Sequence, residues 1–249
     1  MTNKVSLITG GASGIGLATA KRLIADGWRI GVLDVDEDAV SQAADDLGAD
    51  HACGLVADVR DEQAVADAVE ALMQRWGRID GLVNSAGIAR EVKFEDTDMA
   101  LMRQVLDINL MGTFIVTKAA FAHMHPGSSI VNIASVSGER GNVGRTAYGT
   151  SKAAIIQMTK IWASEFAERG IRVNGVSPGP VDTPLAQKLH SQEVRDEWAR
   201  MIPLARYAEA EEIAEPIVFL MSDGASYING HILAVDGGFL SAGISITSG

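Results

Sequence analysis

The 249-residue chain has one cysteine, Cys53, and so closes no disulfide within itself. Cys53 lies in the apolar stretch His-Ala-Cys-Gly-Leu-Val and reads as a buried structural thiol, which suits a reducing, cytoplasmic setting. Basic residues are also scarce: 21 Lys and Arg stand against 32 Asp and Glu, for a net charge of −11 and a pI near 4.9. That balance argues against a nucleic-acid backbone or an anionic membrane surface as partner. A small anionic substrate stays open, because Arg90, Arg140, Arg145 and Arg206 can supply local positive charge. No uninterrupted apolar run reaches the roughly 20 residues that span a bilayer. The opening Met-Thr-Asn-Lys-Val-Ser-Leu-Ile has no signal-peptide layout. The five histidines, His51, His123, His125, His190 and His231, show no metal-ligand spacing. There is no linker tract, composition break or internal repeat, so residues 1–249 read as a single domain.

What is present is an alternation of short apolar strands and amphipathic helices. Strand-like segments fall at 4–9, 29–34, 51–57, 79–84, 129–134, 171–177 and 231–235. Helices are expected over 14–26, 37–47, 61–76, 99–123, from the region of Tyr148 to about 169, and over about 185–201 and 209–222. Gly77 and Gly170 close two of these helices, and Pro126-Gly127 ends the region after a third. Strands that are apolar throughout and separated by helices predict a doubly wound parallel sheet covered on both faces. With 47% hydrophobic residues, the core is ample. The acidic stretch Asp34–Asp50 reads as a solvated helix face, and Met99, Met102 and Met111 as core or interface fillers.

The turn after the first strand reads Thr9-Gly10-Gly11-Ala12-Ser13-Gly14-Ile15-Gly16. Glycines there permit a tight turn and close backbone approach to a pyrophosphate, and the following helix presents its N-terminal amides to the anion. A Gly-rich turn can also be merely structural. This one has Gly-x-x-x-Gly-x-Gly spacing and lacks the Gly-Lys-Ser/Thr ending of a nucleotide-hydrolase loop. Asp34 ends the second strand 18 residues after Gly16. A carboxylate there can accept hydrogen bonds from adenosine ribose hydroxyls and would repel a 2′-phosphate. Its loop neighbours Ala12, Ser13, Val35 and Asp36 are not basic, so the expected cofactor is NAD and not NADP. Asp58-Val59 would lie beside the adenine, and Asn84-Ser85-Ala86-Gly87 would line the adenosine-ribose side.

Tyr148 and Lys152 stand four apart in Tyr-Gly-Thr-Ser-Lys, on one face of a helix. A nearby ammonium favours the ionised phenol and lowers its pKa from about 10. Such a pair can take a proton from an alcohol or give one to a carbonyl. Together with TGGASGIG, Asp58-Val59, NSAG at 84–87, Asn109, Ser135, Asn174 and PGPVDT at 178–183, this pair makes the chain resemble the short-chain dehydrogenase/reductase family from Thr9 to Gly238. Ser85 departs from the commoner Asn-Asn-Ala-Gly, which suggests a tuned turn and not a lost site.

The resemblance implies a Rossmann-type three-layer α/β/α fold with a seven-stranded parallel sheet and a variable substrate lid at about 184–205. It implies a catalytic tetrad of Asn109, Ser135, Tyr148 and Lys152. Tyr148 would transfer the proton and Ser135 would hold the substrate oxygen. Lys152 would lower the Tyr148 pKa and bind the nicotinamide ribose. Asn109 would kink its helix and join Lys152 to a proton relay. Gly10, Ser13, Gly14, Ile15, Gly16, Asp34, Asp58, Val59, Asn84, Ala86 and Gly87 would bind the dinucleotide, with Tyr148 and Lys152. Pro178, Gly179, Val181 and Thr183 would hold its nicotinamide end. Asn174 reads as structural, Ser137 as a loop or substrate-contact serine, and His190 as a candidate substrate contact. The substrate walls are expected from 88–95, 136–145 and 184–205, with Arg90, Glu139, Arg140 and Asn142 making them polar. A small polyol, sugar or hydroxy acid follows as the expected substrate. The resemblance also implies a homotetramer, with one interface on the apolar tail after Asp236 and another on the helices 99–123 and 148–169. Two alternatives remain: a 3-oxoacyl-thioester reductase, which Asp34 disfavours, and a noncatalytic dinucleotide-binding sensor or scaffold, which the complete tetrad disfavours.

Overall fold

The computed structural model describes residues 4–243. The chain runs β1 (Val5–Thr9), α1 (Gly14–Ala25), β2 (Arg29–Asp34), α2 (Glu37–Leu47), β3 (Ala52–Val56), α3 (Glu62–Trp76) and β4 (Ile79–Asn84). It continues through α4 (Met99–Leu106), α5 (Gly112–Phe121), β5 (Met124–Ile133), α6 (Thr146–Glu165), β6 (Arg172–Pro178), α7 (Pro184–Leu189), α8 (Gln192–Met201), α9 (Ala210–Met221) and β7 (Ile232–Val235). Local chemistry sets many of these bounds. The carboxylates of Asp36, Asp61 and Asp98 accept from the first-turn amides of α2, α3 and α4. Glu209 and Glu212 form a reciprocal capping box on α9. Gly77 and Gly170, at φ +73° and +68°, end their helices in the left-handed conformation that glycine adopts without a Cβ clash.

All seven strands pair in parallel, in the order β3-β2-β1-β4-β5-β6-β7. Side chains alternate across the sheet. Ile8, Val32, Val83, Val131 and Val176 pack beneath α1, α2 and α9. Leu7, Leu33, Leu82, Ile130 and Val173 pack on the other face under α3, α5 and α6. The result is a single-domain, three-layer α/β/α Rossmann fold. Strand order reverses between β1 and β4, and in such sheets ligands bind at the carboxyl ends of the strands beside that switch point.

Three elements differ from the sequence expectation. The helix expected over 99–123 is interrupted by a π-helical turn, Asp107–Met111, centred on Asn109. The side chain of Asn109 leaves the helix axis to bond the Ile88 backbone, and one extra residue is absorbed in the turn. Strand β5 begins at Met124 and carries Pro126-Gly127 within it. Its register against β4 shifts between Ile79 and Gly81, so the extra residues are taken up as an irregularity. The helix expected over 185–201 is two helices, α7 and α8, broken at His190-Ser191, where Ser191 caps the second.

Within Met99–Phe121 an 18-residue window reaches a mean hydropathy of 1.3, so by length and composition the stretch could cross a membrane. Val105, Val116 and Ala120 are instead buried within the fold, while Met99, Met111 and Phe114 are exposed. The methionine pair at 99 and 111 is therefore a surface feature and not core filling. Of the apolar tail, Phe239 is fully buried in its own chain, against Val136, Ile202 and Trp198. Ile244, at the end of that tail, lies outside the described residues. Cys53 is half-buried, and burial pushes its thiol up to about 11, so it carries little of the reactive thiolate at neutral pH.

Candidate active site

The glycine turn is pressed against the loop after β4. Gly10 stands at φ +60°, and a Cβ on it would lie 2.9 Å from the backbone of Ala86. A Cβ on Gly16 would lie 2.1 Å from the Gly10 carbonyl oxygen. Gly16 is therefore a packing residue that lets α1 start close to the turn. The Thr9 hydroxyl accepts from the amides of Ser85 (3.1 Å) and Ala86 (3.0 Å), which locks the two loops together. Ser13 precedes α1 in extended backbone without a side-chain cap, leaving the helix N-terminus open. A cavity of about 490 Å³ runs from there. Gly10, Ser13, Gly14 and Ile15 form one wall, Asp34, Asp58 and Val59 the adenosine end, and Ala86, Gly87, Tyr148 and Lys152 the inner end. A glycine turn packed tightly enough to exclude side chains, an uncapped helix N-terminus and a terminal carboxylate fit a dinucleotide.

Asp34 bonds only the Val35 amide, at 2.8 Å, among its hydrogen bonds, leaving most of its carboxylate for a ribose. Asp58 is held by Arg60, and that guanidinium lowers its pKa. Arg60 lines the same cavity as Asp34, a basic neighbour that inspection of the turn residues alone does not find. Asn84 is a correction. Its side chain is buried and turns into the sheet, donating to Thr117 (2.9 Å) and Asn132 (2.8 Å), and it does not line the cavity. Its position at the end of β4, facing α5, directs the amide inward. The Asn174 side chain likewise bridges Ile228 and His231, a structural role.

Tyr148 stands at the junction of the large cavity and a second, inner one, lining both. Burial raises its phenol pKa, while hydrogen bonding to Ser135 and the nearby Arg145 charge pull it down. The Lys152 ammonium donates to the Ile133 carbonyl at 2.7 Å and lies 5.8 Å from the Tyr148 ring centre. Burial pushes it down to about 8. Ser135 lies at the end of β5, with its hydroxyl accepting from the Ser137 amide at 3.1 Å. The Asn109 amide is committed to Ile88 (2.8 and 3.0 Å) and Ser151 (3.0 Å) and makes no bond to Lys152. It therefore positions the loop after β4 against α6, at the π-helical turn that kinks its own helix.

Burying a lysine with a depressed pKa costs stability, which gives a test. Lys152→Met should raise the stability of the cofactor-free protein by about 1–2 kcal/mol, a rise of about 2–8 °C in Tm. At pH 7 both the folded and unfolded lysine are protonated, so the penalty is fully present. It fades as pH rises from about 8 toward the unfolded value near 10.4. Thermal melts of both proteins at pH 7 and pH 10 should show the gain shrinking. A lower Tm for the variant at pH 7 would refute it.

The inner cavity, about 140 Å³, draws on all three expected segments: Ala89 from the first, Val136, Ser137 and Arg145 from the second, and Leu185, Ala186, Leu189, His190 and Trp198 from the third. Pro178, Gly179, Val181 and Thr183 close it from the β6 side. Arg90, Glu139, Arg140 and Asn142 do not line it. Arg140 instead lies over the Phe239 ring. The walls are thus mostly apolar, with polarity concentrated at Tyr148, Ser135, Ser137, Arg145 and His190. Arg145 pairs with Glu91. His190 bonds Tyr207 through Nδ1 (2.8 Å) and faces Glu91 through Nε2 (3.2 Å). Burial, first of all, lowers the His190 pKa and pushes the Tyr207 phenol up to about 12. Glu91 and Tyr207 were not singled out by the sequence, since neither belongs to a motif.

A Rossmann sheet with a dinucleotide cradle opening onto a Ser–Tyr–Lys cluster defines an oxidoreductase that acts on CH–OH groups with a nicotinamide cofactor. A family model described as enoyl-(acyl carrier protein) reductase matches residues 10–240. The chain belongs to the short-chain dehydrogenase/reductase family. It is 40% identical, over 96% of its length and 99% of the relative's, to 3-oxoacyl-[acyl-carrier-protein] reductase of Thermotoga maritima. It is 41% identical, over 95% and 96%, to cis-4-hydroxycyclohexanecarboxylate dehydrogenase of Sinomonas cyclohexanicum. The crystal structure of levodione reductase superposes with a TM-score of 0.93 at 35% identity, covering 98% of this chain and all of that one.

Proposed function

We propose that the protein is an NAD-dependent dehydrogenase that interconverts a secondary alcohol and a carbonyl on a small polar substrate, of the polyol, sugar or hydroxy-acid kind. The observation that carries this reading is Tyr148, set between a dinucleotide-sized cavity that ends at Asp34 and a small inner pocket for the alcohol. In oxidation the substrate O–H proton passes to the Tyr148 phenolate oxygen. Ser135 hydrogen-bonds the substrate oxygen and fixes its distance to that phenol. The Lys152 cation, anchored on Ile133, would hold the ribose beside it. The bound nicotinamide supplies the hydride acceptor in oxidation and the hydride donor in reduction. Asp34 favours NAD by accepting from ribose hydroxyls and repelling a 2′-phosphate. Pro178, Gly179, Val181 and Thr183 would border the nicotinamide end, and Asn109 would hold the loop that borders it.

A second reading, reduction of a 3-oxoacyl thioester, is favoured by the mostly apolar inner walls and by the likeness to the Thermotoga maritima reductase. We also propose a homotetramer, supported by the exposed Met99 on α4, Met111 in the π-helical turn, Phe114 on α5 and Ile161 on α6. One preparation tests these readings. Light scattering should give the mass of four 26.3 kDa chains. The protein should then reduce NAD with polyols, sugars, hydroxy acids or simple secondary alcohols, followed by absorbance of the reduced cofactor. Activity confined to NADP, or rapid reduction of acyl thioesters with no alcohol oxidised, would replace the first reading with the second.

A further inference from the structure

Arg145 is a cation sealed into the wall of the alcohol pocket. Its side chain is only 8% exposed, and its guanidinium lies 5.3 Å from the Tyr148 ring centre. Among the described residues only Nη2 has hydrogen-bond partners: Glu91 Oε1, with His190 Nε2 at 3.3 Å. Nε and Nη1 have none. Nor are they among the fully enclosed unpaired side-chain atoms, which are Asn84 Oδ1 and Ser177 Oγ. Arg145 itself lines the alcohol pocket beside Tyr148 and Ser135. Unpaired guanidinium donors on a largely buried side chain beside the reacting groups are a ready-made site for an oxyanion.

The rest of the pocket narrows the choice. Ala89, Val136, Leu185, Leu189 and Trp198 are apolar. A polyol or sugar would press several hydroxyls against them without partners, which is costly. A molecule with one hydroxyl, a compact apolar body and one carboxylate meets every surface with its own kind: hydroxyl to Tyr148 and Ser135, body to the apolar side chains, carboxylate to Arg145.

We infer that Arg145 is the specificity-determining residue of this enzyme and that it takes the carboxylate of a hydroxy acid, or of the oxo acid in the reverse direction. This rests on the proposed alcohol-dehydrogenase reading and selects one of its substrate classes. Glu91 balances half of the guanidinium through Nη2 and holds the fork in place. Its side chain is 31% exposed and so reaches solvent, while that of Arg145 is 8% exposed. A neutral amide of the same shape accepts through one oxygen only, loses the ion pair, and brings N–H groups to a cation that cannot accept them.

The test compares 3- and 4-hydroxycyclohexanecarboxylate with the matching carboxamides. Wild-type kcat/KM should favour an acid over its amide by about a hundredfold. Arg145→Met should reduce that ratio to near one, and Arg145→Lys should keep part of it. A general structural loss would lower acid and amide together and leave the ratio intact. Calorimetry on the wild-type NADH complex supplies a readout without turnover: cyclohexanecarboxylate should bind and cyclohexanecarboxamide should not. If Arg145→Met fails to fold, the wild-type ratio and the calorimetry decide. Equal turnover of acid and amide, equal binding of the two probes, or a ratio unchanged in a folded Arg145→Met protein overturns the inference while leaving alcohol oxidation standing. Oxidation of no alcohol overturns the functional reading itself. Carboxylate binding to the NADH complex that is lost in Arg145→Met would still support the anion site.

Discussion

Tyr148→Phe should lower kcat by about a thousandfold in both directions, the scale of a lost general acid–base group, while the protein stays folded. The phenol ring contributes packing that phenylalanine preserves, and the hydroxyl alone is removed. Affinity for NADH should change by no more than about tenfold, the worth of one neutral hydrogen bond, as read by cofactor fluorescence. The pH profile of the wild type carries the same assignment. Burial raises the Tyr148 pKa above the ordinary phenol range before any ligand enters, so at pH 7 the proton is on the oxygen. Oxidation needs the phenolate, so its kcat/KM should climb with pH through the neutral range. Reduction needs the phenol and should fall at high pH. Tyr148→Phe should flatten both limbs. Retention of more than a tenth of wild-type kcat, or an unaltered pH profile, would remove Tyr148 from the chemistry and revive the noncatalytic dinucleotide-binding reading.

Asp34→Ala should lower kcat/KM with NAD by about 10- to 100-fold, the loss of one charge-assisted hydrogen bond at about 1.5–3 kcal/mol. The same change should raise kcat/KM with NADP, because it removes the carboxylate that opposes a 2′-phosphate. Arg60 sharpens the expectation. It lines the cavity together with Asp34 and is held by Asp58 at 2.5 Å. Once Asp34 is gone it is a cation of that cavity open to a phosphate, so the double change Asp34→Ala with Arg60→Ala should give back much of the NADP gain. Steady-state kinetics with both cofactors on one alcohol decide it. If Asp34→Ala leaves the ratio of NAD to NADP unchanged, discrimination does not reside at the end of β2.

The parts of the molecule that depend on neighbours in sequence were legible without coordinates. Apolar runs separated by amphipathic helices encode a parallel sheet because each residue's partners in a helix are three or four positions away, and each strand's burial is visible in its own composition. The glycine turn was legible for a similar reason. Gly10 needs a positive φ and Gly16 a missing Cβ, and both constraints act within a few residues. The spacing of Tyr148 and Lys152 likewise put both on one helix.

What the chain brings together across long separations was not legible. Glu91 meets Arg145 across 54 residues, and His190 meets Tyr207 and Glu91 from a different loop. None of these residues has a periodic or motif signature, so only the folded sheet, with its loops gathered at one edge, chooses them. Orientation was hidden for the same reason. Sequence could name Arg90, Arg140 and Arg145 as cations near the substrate, but the phase of a turn and the rotamer of a long side chain decide which one faces inward. Only Arg145 does, while Arg140 covers Phe239. Asn84 and Lys152 show the same division. Each stands where its motif puts it, yet packing turns the Asn84 amide into the sheet and ties the Lys152 ammonium to Ile133. Sequence by itself determined the architecture and the reacting groups, which local periodicity and spacing encode. Tertiary structure decided the environment of those groups and the shape of the pocket, because burial and charge at a site are summed over segments that meet only after the chain has folded.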